Sequence, residues 1–412
     1  MEQSEGLRSK LIDDQIYGND LMCIRLTLIF IVAILLSSCA EYSHTDSRRP
    51  VKLHDDSFPQ PEPDFSQYRT RVMAYLSAYS LPDRTEAGIR LNLPFELKAD
   101  KDVPYRGKFL LFHGLNDSAY VWADMAAELA LRGFDVRAIL LPGHGSHPVE
   151  MLDISYRDWL SAARAHFKLW NTDSTPIYLG GFSMGAVITT ILALENNSIS
   201  GLLLISPAYH SRLNSLLRWS WLYAWYKPWM FGGLILEDNP TKYNSIPINS
   251  GTQYYRMTQY LKNLWQQNEL EMPILMVTST NDSVVDVKYT RKLFQQRFGS
   301  DRKKLLLYTD DETLVTAQNE VSRTSAYPDL RILNQSHLSL INSPANRLLG
   351  KNGTQLICNG NEYPIFIACM RATEHWYGAQ YTASPDGVAV ARTTYNPDFD
   401  TVLKQFDSVF MD

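Results

Sequence analysis

What this sequence has little of narrows its reading first. Among 412 residues there are only four cysteines, no excess of basic charge and no internal repeat. With a formal net charge of −5 and no basic stripe, the chain lacks the electrostatic footprint of a nucleic-acid binder, so nucleic acid is set aside as a partner. The apolar run Leu26–Leu36 falls short of the roughly 20 residues that a spanning helix needs. Apolar residues make up 45% and charged residues 20%, an ordinary globular composition. At this length one domain with insertions buries a large core.

The short apolar run is itself informative. Preceded by Arg25 and followed by small residues up to Cys39, it has the shape of a secretion signal, with Met22 as an alternative start to Met1. Leu36-Ser37-Ser38-Cys39 resembles the lipobox of bacterial lipoproteins, which implies cleavage and acylation at Cys39. Ala40 and Glu41 do not resemble an inner-membrane retention signal, so a lipid-anchored position in the bacterial envelope, outer rather than inner membrane, is expected. Residues 1–39 then form the signal segment and 40–66, polar and Pro-rich, a tether. An envelope compartment permits a disulfide, and Cys358 and Cys369 are the pair left to form it.

From residue 67 to 412, strand and helix signals alternate. Lys108–Phe112, Pro176–Leu179, Gly201–Ile205 and Pro273–Thr278 are continuous apolar runs of the buried parallel-strand kind, and Lys304–Tyr308 and Leu330–Leu333 offer two more. Helical patterns over Ala119–Arg132, Tyr156–Trp170, Ala186–Glu195 and Thr401–Phe410 separate or follow them. The pattern predicts an α/β fold: a mostly parallel sheet with helices on both faces. It breaks twice, over 206–271, an aromatic-rich stretch expected to cap the site, and over 342–397, an irregular Gly/Asn-rich insertion holding the cysteine pair.

A hydroxyl becomes a useful nucleophile only with a base to take its proton and donors to stabilise the oxyanion it creates. Gly181-Phe182-Ser183-Met184-Gly185 joins a buried strand to a helix, and its glycines permit the sharp turn that exposes Ser183. Asp282 follows the strand PILMVT; Asp286 sits where a helix begins and reads as an N-cap, while Asp310, Asp311 and Glu312 are lesser alternatives. His337 is the candidate base, with His375 as its late rival; His113, beside Gly114, reads as a loop brace.

The order Ser183, Asp282, His337 and the motifs HGL, LPGHGSH, GFSMG, STNDSVVD and QSHL resemble the monoglyceride lipase and lysophospholipase-like branch of the α/β-hydrolases, related to the serine aminopeptidases. The resemblance covers roughly Lys108–Leu340 and implies an α/β-hydrolase fold with an inserted cap and a serine hydrolase acting on carboxylic esters, lipid acyl esters above all. It implies Ser183, Asp282 and His337 as the catalytic set and the backbone amides of Leu115 and Met184 as oxyanion donors. It makes the turn bearing His144 and His147 structural, and no metal or cofactor is implied. Trp219, Trp221, Trp225 and Trp229 belong to the cap, as an apolar substrate or lipid-touching surface or as a packed core. The departures are the long segment between Asp282 and His337 and the insertion after it. Amide cleavage or acyl transfer on the same triad stays open, as does a non-catalytic envelope binding lipoprotein.

Overall fold

The computed structural model describes residues 57–411 except 267, 315–316 and 359–362. The signal segment, Cys39 and most of the tether lie outside the described residues. The packed unit begins earlier than 67: Phe58 stands edge-on to Tyr75 at 5.3 Å, and helix α1 (Phe65–Tyr79) is capped by the Asp64 side chain, which accepts from the Ser66 and Gln67 N–H groups. A short α2 (Glu86–Leu91) leads into the first strand, β1 (Phe95–Leu97), which joins the sheet.

The sheet has eight strands in the order β1-β3-β2-β4-β5-β6-β7-β8. They are β2 (Gly107–Phe112), β3 (Phe134–Ala138), β4 (Ile177–Phe182), β5 (Ile199–Ile205), β6 (Ile274–Ser279), β7 (Lys303–Tyr308) and β8 (Glu320–Arg323). All pair in parallel except β1, which runs antiparallel to β3. The central strands read as unbroken apolar runs because both of their faces are covered. On one face α4 (Tyr156–Trp170), α5 (Met184–Glu195), α8 (Ile248–Leu264) and α9 (Val287–Arg297) bury Trp159, Ile188, Met257 and Phe294. On the other, α3 (Ala123–Leu131) and α11 (Phe399–Phe410) bury Met125, Leu129, Val402 and Phe406. The expected three-layer architecture is the one observed.

The last sheet strand is not Leu330–Leu333. Ile332 makes only isolated bridges, to Tyr327 and Tyr377, and the edge of the sheet is formed instead by β8, with the sequence Glu-Val-Ser-Arg. Between β5 and β6 lies the cap, containing α6 (Asn214–Leu217), α7 (Ser220–Ala224) and α8. The insertion after His337 is less irregular than its composition suggests. It contains α10 (Tyr363–Arg371) and a parallel pair, β9 (Trp376–Gly378) with β10 (Val390–Arg392). The expected Cys358–Cys369 disulfide closes it, both residues being buried.

Candidate active site

From β2 the chain goes outward to β3 and then returns to the other side of β2 for β4, so loops leaving β2 and β4 diverge. In open parallel sheets this switch point, at the carboxyl ends of the strands, is where a crevice forms. Ser183 follows β4 there, and His113-Gly114-Leu115 follows β2.

Ser183 has φ 56° and ψ −117°, a region that a residue with a Cβ rarely enters, at a cost of about 1–3 kcal/mol. Its surroundings fix it. The Ser183 N–H donates to Ile205 O at 3.0 Å, and its carbonyl accepts from Ala186 and Ala208 at 3.1 Å. A Cβ on Gly181 would collide with the Ala186 backbone and one on Gly185 with the Phe112 carbonyl, so the two glycines let α5 lie against β4 and β2. Met184 opens α5, and its N–H is among those a helix leaves unpaired at its N-terminus.

His337 Nε2 lies 2.8 Å from Ser183 Oγ, and His337 Nδ1 lies 2.6 Å from Asp282 Oδ2. With the buried Asp282 carboxylate accepting from Nδ1–H, Nε2 is left to accept the Ser183 hydroxyl proton. The other Asp282 oxygen accepts the N–H groups of Val284 at 2.8 Å and Val285 at 3.0 Å, which hold the carboxylate on the histidine. The ring of Phe182 backs the imidazole at 5.4 Å. The three candidate residues meet as the sequence order implies.

Their rivals are engaged elsewhere. Asp286 caps α9 by accepting from Tyr289 N. Asp310 accepts from Thr324 and Ser325. His375 Nε2 bonds to Cys369 O within the insertion. His113 is fully buried; its Nε2 accepts the Leu141 N–H at 3.0 Å, so Nδ1 carries the proton and donates to Gly114 O at 2.8 Å. Burial lowers its pKa from 6.5 to about 4, keeping the ring neutral. It braces the loop after β2. His144, stacked edge-on to His113 and also depressed by burial, bonds to Pro142 O, and His147 caps the following turn through Val149 N.

Several contributors carry no signal in the sequence. His337 follows β8, four strands from β4 and so roughly 19 Å away at ordinary strand spacing, and its loop must run back across the sheet ends. Two serine hydroxyls beneath hold it: Ser206 Oγ donates to His337 O at 2.9 Å and Ser279 Oγ to Gln335 O at 3.2 Å. The insertion holds it from the far side, where Ser336 Oγ donates to Thr393 O at 2.6 Å and Thr393 Oγ1 to Asn334 O at 2.7 Å. The cap grips the loop after β2: Tyr243 N–H donates to Asn116 O at 2.8 Å, and Lys242 Nζ meets the buried Asp117 carboxylate at 2.8 Å. Its other foot bonds Arg212 N–H to Val284 O at 3.0 Å, beside Asp282. Of the four tryptophans expected in the cap surface, Trp229 is buried, while Trp219, Trp221 and Trp225 are exposed and do not form a packed core.

The topology and the elbow place this chain among the α/β hydrolases. Within that class it belongs to the Hydrolase_4 family, serine aminopeptidase S33, whose model matches residues 104–310, half of the chain. That span contains Ser183 and Asp282 and ends before His337. Over 99 residues, 24% of this chain, the sequence is 28% identical to a thermostable monoacylglycerol lipase of Bacillus sp. (strain H-257), and the chain spans only 40% of that relative's length. Among solved structures it is similar to one from a study of LipS and LipT, two metagenome-derived lipolytic enzymes (TM-score 0.43, 20% identity, covering 56% of this chain and 89% of that one). It is also similar to the monoacylglycerol lipase of Paleococcus ferrophilus (TM-score 0.43, 17% identity, covering 53% and 88%).

Proposed function

We propose that this protein is a serine hydrolase of carboxylic esters, acting on lipid acyl esters of the monoglyceride or lysophospholipid type. The observation that carries the reading is the continuous hydrogen-bonded line from Ser183 Oγ through His337 to Asp282. Ser183 Oγ attacks the ester carbonyl as its proton passes to His337 Nε2, and Asp282 stabilises the imidazolium that results. The oxyanion is held by the N–H groups of Leu115 and Met184, rigid donors oriented before charge develops. Collapse expels the alcohol, which takes the proton from Nε2. Water, deprotonated by the same nitrogen, then releases the acid and restores Ser183. The family relationship and the monoacylglycerol lipase similarity support an ester substrate with an acyl chain.

The same reading puts the chain in a bacterial envelope, tethered by lipid on Cys39. The lipobox-like run supports it, and a buried disulfide suits an oxidising compartment. The test is a panel of aryl and acylglycerol esters against aminoacyl amides, with Ser183→Ala as the blank. Ester turnover lost by about 10⁴-fold or more in the variant is the expected result. Amide cleavage without esterase activity would replace the reading by an aminopeptidase. Failure of a fluorophosphonate to label Ser183 in the folded protein would remove catalysis altogether.

A further inference from the structure

The cap turns its apolar residues outward. Ser220 is buried and bonded to Thr252 of α8 at 2.7 Å, and Trp229 is buried where the chain bridges to Pro247, so these residues fasten the segment from within. Their neighbours point away from the protein: Trp225 is 87% exposed, Tyr226 69%, Leu216 65%, Trp219 and Trp221 52% each, and Phe231 50%. Soluble monomers seldom leave a patch of this kind bare without a partner for it.

Charge says what the partner is. From His210 to Leu236 the chain has Arg212, Arg218 and Lys227, all exposed, and not one aspartate or glutamate, although the protein as a whole carries −5. Tryptophan and tyrosine favour the boundary between headgroup and acyl chain, and cations beside them are drawn to anionic lipid. A two-fold pairing of the patch with a second copy would set these cations against themselves. No helix among the described residues is long and apolar enough to cross a membrane, and α6 and α7 span four and five residues, so the surface suits lying on a bilayer.

We infer that the outer face of the cap, centred on Trp219, Trp221, Trp225 and Tyr226 and ringed by Arg212, Arg218 and Lys227, docks on an anionic lipid bilayer. This contact is separate from any lipid on Cys39 and does not depend on the ester reading. Because the cap stands on the loops carrying Asp282 and Leu115, docking sets the candidate site down beside the lipid surface.

Tryptophan fluorescence tests it in the full chain. All nine tryptophans lie outside the signal and tether, and of these only Trp219, Trp221 and Trp225 are exposed, so quenching by vesicles with brominated acyl chains reports the cap and not the anchor. Vesicles of brominated phosphatidylcholine with phosphatidylglycerol should quench up to about a third of the emission, less without the anionic lipid and less as salt rises. Trp219→Ser/Trp221→Ser/Trp225→Ser should abolish the quenching, and Arg212→Ser/Arg218→Ser/Lys227→Ser should remove its dependence on salt, with near-ultraviolet circular dichroism confirming the fold of both. Absence of quenching in the wild-type chain on anionic vesicles would overturn the proposal without any variant. So would a lipid-free dimer that the aromatic substitutions make monomeric, since a second copy would then cover the face. Quenching without ester turnover would leave docking intact and sink the proposed function; turnover of soluble esters without quenching would do the reverse.

Discussion

Ser183 and His337 reach the same point by different means. Ser183 is placed by a strand end: β4 stops, the backbone turns through a strained angle, and α5 begins under constraint from Phe112 and Ile205. His337 arrives on a loop that has crossed the sheet, held by hydroxyl-to-carbonyl bonds from Ser206 below and to Thr393 beside it. Backbone packing distributes strain over a core, whereas a loop tied by side chains concentrates its precision in a few bonds. The nucleophile should therefore resist single hydroxyl deletions and the base should not.

The largest effect should come from the link between the two. Asp282→Asn keeps the shape but offers a donor where His337 needs an acceptor, and should lower kcat by about 10³–10⁴-fold with KM little changed, measured on a soluble aryl ester. Next is the loop that carries the base. Ser336→Ala or Ser206→Ala should cost about 1 kcal/mol of stability in urea unfolding and lower kcat by about 5–30-fold, while the same deletion at Ser408, bonded to Lys304 far from the site, should leave kcat unchanged. Equal effects at all three would erase the contrast between the two placements. Cys358→Ser/Cys369→Ser should destabilise the protein by about 2–3 kcal/mol, with loss of kcat through Thr393 and Ser336 and not through binding.

The smallest effect on activity belongs to acid. His113 is held neutral by burial down to about 4, while the unfolded chain protonates it near 6.5. Stability contributed by this neutral ring is complete above about 6.5 and is lost as pH falls toward 4, because the unfolded state takes up the proton that the folded state refuses; the full loss is on the order of 3 kcal/mol. Urea midpoints measured across this range should slope upward with pH, and His113→Asn should flatten part of the slope.

Much of the site was legible because its signals are local. Gly181, Ser183 and Gly185 lie within one turn, between a buried strand and a helix, and the glycine positions are dictated by contacts with Ala186 and Phe112. Asp286 announced its cap, and the cysteine pair its bridge. What misled was long-range. Leu330–Leu333 is apolar because Ile332 is buried under the insertion, not because it pairs in the sheet, while β8 needs no apolar run since it pairs with β7 alone and lies half open to water. Serines 206, 279 and 336 look like any others until the loop lies across them. Nor does aromatic spacing reveal which residues face outward: Trp225 and Trp229 stand four apart as if on one helical face, but the helix ends at Ala224, and Trp229 is buried while Trp225 is exposed.

The two feet of the cap carry a mechanical consequence. One foot is bonded to the loop that holds Asp282, the other to Asn116 and Asp117 beside Leu115, the proposed donor. A cap fastened in this way is a roof and not a door: raising it whole would strand Asp117 without its counter-charge and drag donor and carboxylate apart together. Motion in the cap is then left to α6 and α7, each only about a turn long, while the posts stay where they are.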